Sequence, residues 1–187
     1  MNNEIDWFKG PRKYIQAADL LLSAWNSVEG IEHFVFSSRK VGTCPTQWID
    51  PAGVTKDAIL ANFSALTKEG NEVAKVAVQY EGRTITKEIP FPESLMFDTA
   101  VIAGPTITCP ILPDFTSWEH ISSLNKFLMT AIFEHPSWWF VRLEGNKLLS
   151  NRSGTMVIRY LEKKRILYRS EISIDGQSAG FVDFAMR

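Results

Sequence analysis

Residues 15–28 read IQAADLLLSAWNSV. Ile15, Ala18, Leu22 and Trp25 recur at the three- and four-residue spacing of one helix face. Leu20 and Leu21 widen that stripe until little of the surface is left for water. A helix this apolar has to be wrapped, not packed along one side. Gly30 terminates it. A second helix pattern, SWEHISSLNKFLMTAIF, covers residues 117–133. Ile121, Leu124, Leu128 and Ile132 mark its buried stripe, Ser117 is its expected N-cap, and Pro136 its stop. Strand patterns follow each helix, so that the order helix, strand, strand, strand, strand occurs at about 15–90 and again at about 117–186. FVF at 34–36 matches FVRL at 140–143, and VAKVAVQYEG at 73–82 matches LYRSEISIDG at 167–176 without a gap. The identity is low; the match lies in pattern and order. An internal duplication decides the fold when it is present.

The expected architecture is therefore α+β, built of two tandem units of helix plus antiparallel meander. The units span 1–92 and 93–187 and make up one integrated domain. A sheet that curls around its helix does the wrapping, and two such units joined edge to edge each lose one exposed edge. Within the units, KEGN at 68–71 and KKR at 163–165 read as hairpin turns. VQYEGRTITK at 78–87 and ISIDGQSAGF at 172–181 read as two versions of one hairpin, each turned by an acidic residue and Gly. Residues 43–57, with Pro45, Pro51 and Gly53, read as a loop. Residues 93–115 are β-rich but broken by Gly104, Pro105, Pro110 and Pro113; they predict one or two strands whose partners stay open.

Composition excludes several classes. A chain of 187 residues buries roughly 70% of its unfolded surface and needs no metal or disulfide to fold. A net charge of −1 offers no electrostatic footprint for nucleic acid or an anionic membrane. The start, MNNEIDWFKGPRK, has no apolar core of a signal peptide, and no apolar run approaches a membrane span. A soluble, cytoplasmic protein is expected. The two cysteines sit in separate TCP phrases and predict free thiols. Three histidines without CxxC or HExxH give no metal site. Without GxGxxG, a phosphate-binding loop or a GxSxG elbow, no cofactor is expected.

The order of elements resembles the hot-dog fold, in which a curved antiparallel sheet wraps a central helix. ILYRSEISIDGQSAGFVDFA is similar to that family's closing pair of strands, and GPRKYIQAADLLLSAW to its entry into the central helix. Two copies make a double hot-dog, a resemblance covering about four fifths of the chain. The resemblance implies action on acyl groups thioesterified to coenzyme A or an acyl carrier protein, as a thioesterase, dehydratase or acyl transferase. It implies a site between the two units, near the helix N-termini, where free N–H groups polarise a thioester carbonyl. Such a chain is a monomer or homodimer. A binding module for a protein partner or an acyl chain, without catalysis, is the alternative; six tryptophans and a sparse catalytic inventory favour it.

Asp19 stands one turn into the first apolar helix. A carboxylate in low dielectric has its pKa raised, which suits a general base; the same position also suits an acid held by the helix dipole. Counting back from the FV strands, its counterpart is Asn125. The pair divides into a proton-transfer group and an orienting group. His120, near the start of the second helix, is the third catalytic candidate, although the dehydratase phrase of histidine, glycine and proline before the helix is absent. Tyr14 and Arg12 offer a phenol and a guanidinium to a thioester or its phosphates. With Gln16 and Ser123 they form the candidate substrate-binding set.

Overall fold

The computed structural model describes residues 4–10, 15–80 and 82–186. The fold is α+β and divides into two compact units, Met1–Pro92 and Glu93–Arg187.

The first unit runs β1 (Trp7–Lys9), α1 (Ala17–Asn26), β2 (Ile31–Ser38), β3 (Thr46–Ile49), β4 (Ile59–Thr67), β5 (Glu72–Gln79) and β6 (Lys87–Ile89). Its sheet has the order β3-β5-β4-β2, and β1 and β6 form a separate parallel pair. α1 buries Ala18, Asp19, Leu20, Leu21 and Ala24. Trp48 of β3 seals the helix from below: its indole N–H donates to the Leu20 carbonyl at 3.0 Å. Its ring also meets Phe36 and Phe63 edge-on, at 6.4 and 6.2 Å. An indole buries much apolar area at little conformational cost provided its N–H finds a partner.

Two sequence expectations fail in this unit. Residues 43–57 contain strand β3, and the described residues on either side of Glu81, which itself lies outside them, do not pair as a hairpin: β5 ends at Gln79, and Lys87 pairs with Trp7. Both have one cause. β4 takes one edge of β5 and β3 takes the other, so no ladder is left for a returning strand. Beyond β5, the Tyr80 N–H donates to the Pro45 carbonyl at 2.8 Å and its hydroxyl to Gln47. Arg83 pairs with Glu4 at 2.6 Å, and the chain turns toward β1.

The second unit runs α2 (Ser94–Thr99), β7 (Val101–Ala103), β8 (Thr106–Pro110), α3 (Ser117–Phe133), β9 (Trp138–Asn146), β10 (Thr155–Lys164), β11 (Leu167–Ile174) and β12 (Gln177–Met186). The β-rich stretch at 93–115 thus resolves into a short helix and a hairpin. All neighbours are antiparallel in the order β9-β12-β11-β10-β8-β7. α3 packs against β8 and β10 and also against β9, with β11 and β12 lying between them in the sheet. The sheet therefore curves around the helix, as an apolar helix requires. The DG turn is a true hairpin here: Asp175 and Gly176 have φ of 49° and 78°, and a two-residue turn with both φ positive matches the strands' twist. The N-cap of α3 is Thr116, one residue before the expected Ser117. It makes a reciprocal capping box with Glu119, while the Ser117 hydroxyl donates to the Asn151 carbonyl at 2.5 Å.

The two units repeat the succession of elements but not the wiring. In the second, β10, β11 and β12 are successive neighbours, and the last of them, β12, lies beside β9. In the first, the strand after β2 crosses to the far side of β5. Among the described residues no helix is long and apolar enough to cross a membrane.

Candidate active site

The structure places Asp19 at the third position of α1, 3% exposed. It does not stand alone there. The Lys9 ammonium lies 2.7 Å from Asp19 Oδ1, with side-chain exposures of 14% and 1%. A buried carboxylate persists only with counter-charge and hydrogen bonds around it, and Lys9 at the end of β1 supplies the charge. Gln16 sets this geometry: its amide N–H donates to the Lys9 carbonyl at 3.1 Å, tying the end of β1 to the start of α1. Arg12 and Tyr14, the other expected ligands of a thioester or its phosphates, lie outside the described residues.

Asn125 lies on α3 one turn beyond Ile121 and is fully buried. Neither its Oδ1 nor its Nδ2 has a hydrogen-bond partner among the described residues. An amide buried without partners forfeits its hydration and is rare in folded proteins. His120, one turn earlier, is also fully buried, but both its ring nitrogens are engaged. Nε2 accepts from the Leu112 N–H at 3.1 Å. Nδ1 must then carry the proton, which it donates to the Thr116 carbonyl at 2.9 Å. Burial pushes the imidazole below its ordinary pKa, against the opposing pull of the Thr116 carbonyl and Glu119. In this state His120 clasps the loop before α3 to the first turn of the helix. Ser123 is buried as well and donates to Glu93 Oε1 at 2.9 Å, joining α3 to the residue that precedes α2.

Asp19 and Gln16 thus belong to the first unit, and His120, Ser123 and Asn125 to the second. Among the described residues no cluster of three His, Cys, Asp or Glu could hold a metal ion. One carboxyl in the second unit, that of Asp183 on β12, has its pKa raised by desolvation, against the opposing pull of Arg169 and Arg142. With Arg169 at 3.6 Å, it belongs to a charge network in the sheet.

Over 95% of its length and 88% of the other chain, the structure superposes on a Thermobifida fusca protein described as a thioesterase II, with a TM-score of 0.52 and 8% identity. The chain has a hot-dog fold. Two further hot-dog structures align less closely. A tesB protein of Mycobacterium avium subspecies paratuberculosis matches at TM-score 0.49 and 13% identity, covering 98% of this chain and 92% of its own. The acyl-CoA thioesterase II TesB2 of Mycobacterium marinum matches at 0.47 and 12%, covering 91% and 87%. No family model matches the sequence, and no curated protein does either.

Two residues of this hot-dog chain escaped the sequence reading. Lys9 carried a usable signal, a lone cation shortly before a helix whose apolar face holds an acid. Ser170 carried another. In LYRSEISI it shares the alternating face of Tyr168, Ile172 and Ile174, where a hydroxyl is out of place.

Proposed function

We propose that the protein processes acyl thioesters, of coenzyme A or of an acyl carrier protein, using two hot-dog units carried in tandem at 1–92 and 93–187. The observation that carries this reading is Asn125, an amide with no hydrogen-bond partner among the described residues on a sheet-wrapped helix. A thioester carbonyl is a ligand suited to it: the Nδ2–H groups donate to the carbonyl oxygen and strengthen their hold as charge develops there in the transition state. Asp19 is the proposed proton acceptor, held ready by Lys9 and Gln16. His120 in its neutral, doubly bonded state is a positioning residue for the start of α3. Ser123, with Glu93, holds α2 against that helix, and Arg12 and Tyr14 are proposed contacts for the carrier's phosphates. The chemistry ranges over hydrolysis, dehydration and acyl transfer.

The second reading is a binding module for a protein partner or an acyl chain. It is favoured by the engagement of both His120 nitrogens and by the ion pair on Asp19, which leave few groups free for proton transfer.

A panel of acyl-CoA and acyl-carrier thioesters, followed by thiol release and by mass, tests both. Turnover that is lost in Asn125→Leu and in Asp19→Asn but kept in Lys163→Ala supports the enzyme, provided circular dichroism shows each variant folded. A folded wild-type protein that turns over no thioester, and instead retains a partner or a chain, sinks the catalytic reading.

A further inference from the structure

The second unit has another polar anomaly that the proposed site does not use. Ser170 is fully buried, and its Oγ has no hydrogen-bond partner among the described residues. The burial pattern of β11 puts Tyr168, Ser170, Ile172 and Ile174 on one face. That face looks toward α3, because the Tyr168 ring lies 4.9 Å from that of Phe133 at the helix end.

Register fixes how far along the layer Ser170 sits. At the start of α3, Ser117 bonds to Asn151, just ahead of β10, whose Met156 pairs with Ile174 of β11. At its end, Phe133 meets Tyr168. α3 therefore runs along β11 from the Ile174 end to the Tyr168 end. Asn125 is the midpoint of the helix, and Ser170 and Ile172 occupy the middle of the strand face. Ser170 lies on the Tyr168 side of that middle. Val182 of β12 stands opposite Ser170 and Ile158 of β10 opposite Ile172; these and the buried α3 residues Ile121, Leu124 and Leu128 are apolar and offer nothing to a hydroxyl. Beyond Ser170 the layer ends in aromatic rings: Phe133 is 5.3 Å from Tyr160, the residue opposite Ser170 on β10.

A ligand whose carbonyl is held at Asn125 and whose tail extends toward this aromatic end passes Ser170. A plain hydrocarbon tail would leave the hydroxyl unpaired and the cost of burying it uncompensated. An oxygen borne on the tail would complete it. We infer that Ser170 is a specificity residue that hydrogen-bonds an oxygen substituent, hydroxyl or keto, on the aliphatic chain of the ligand. This rests on the acyl reading for the nature of the chain and adds to it a preference for oxygenated over saturated chains.

The test is calorimetric titration of the full chain with free carboxylic acids of equal length, unsubstituted or hydroxylated at successive positions. The wild-type protein should prefer one hydroxylated isomer by roughly fivefold to tenfold, the range of one well-made hydrogen bond. In Ser170→Ala that ratio should collapse to about one, with the melting temperature of the variant confirming its fold. Equal wild-type affinity for all isomers, a ratio that survives Ser170→Ala, or no binding of any acid each overturns the inference. The titration needs no turnover. A protein inert toward every thioester that keeps the chain preference refutes the enzyme and leaves Ser170 standing; one that turns thioesters over without the preference does the reverse.

Discussion

Replacing Asn125 with leucine should make the protein more stable and, at the same time, inactive. The two side chains have the same number of heavy atoms and branch at the same carbon, so the exchange leaves little void and little overlap. What changes is polarity. Asn125 is fully buried, and its two amide atoms have no partner among the described residues. A buried polar group left unpaired costs about 1–3 kcal/mol. Leucine removes that cost and adds apolar contact with Ile121 and Leu128, one turn away on each side. Some of the gain is lost because leucine's tetrahedral branch cannot lie flat as the amide does, a shape mismatch of up to about 1 kcal/mol. The net expectation is a stabilisation of about 2 kcal/mol, which for a domain of this size raises the melting temperature by roughly 4–8 °C. Thermal and urea denaturation of Asn125→Leu beside the wild type measure it, and thioester turnover measured in parallel should vanish. Groups kept for function at the expense of stability behave in this way. A variant destabilised by 1 kcal/mol or more would refute the reasoning, since the amide would then be satisfied in the folded protein and would no longer point to a ligand.

Other substitutions examine the supports of the two helices. Lys9→Met removes the ion pair that Lys9 makes with the buried Asp19 carboxylate and should cost about 3 kcal/mol in urea denaturation; adding Asp19→Asn should restore part of that loss. Because burial lowers the folded-state pKa of His120, its contribution to stability is complete above the unfolded value, about 6.5, and is lost as pH falls from there toward the folded value. Stability measured through that window should therefore decline on acidification, and His120→Gln should flatten the decline. Gly180→Ala should be among the most damaging changes. A methyl there would stand 2.2 Å from the Glu144 carbonyl oxygen at a φ of 155°, and overpacking against backbone should cost about 3 kcal/mol by chemical denaturation.

Much of the fold was legible because it rests on periodicity. The two apolar helices, the KEGN and DG turns and the wrapping of α3 by a curved antiparallel sheet all follow from which residues must leave water and at what spacing; the KKR hairpin exists but turns later, at Arg165 and Ile166, because Lys163 and Lys164 extend β10 and pair with Tyr168 and Leu167. The errors fall where pairing is non-local. β3 hides in a Pro/Gly stretch because four residues make too short a pattern to read, and it becomes a strand only by meeting β5. The EG segment resembles the DG hairpin in composition, yet β3 and β4 already occupy both edges of β5. The site was legible in part for the same reason. Asp19, His120, Ser123 and Asn125 stand out as polar residues on apolar helices, and all four are buried. What each one touches was not legible: Lys9 on Asp19, Leu112 and Thr116 on His120, Glu93 on Ser123.

From its sequence alone, then, this chain is committed to two apolar helices and to a handful of polar groups buried on them, because hydrophobic period and burial are properties of short stretches. Which strands lie side by side, and which of those polar groups find partners, was decided only by the tertiary structure. A hydrogen bond depends on tenths of an ångström between residues far apart in the chain, and spacing along the sequence does not encode that distance.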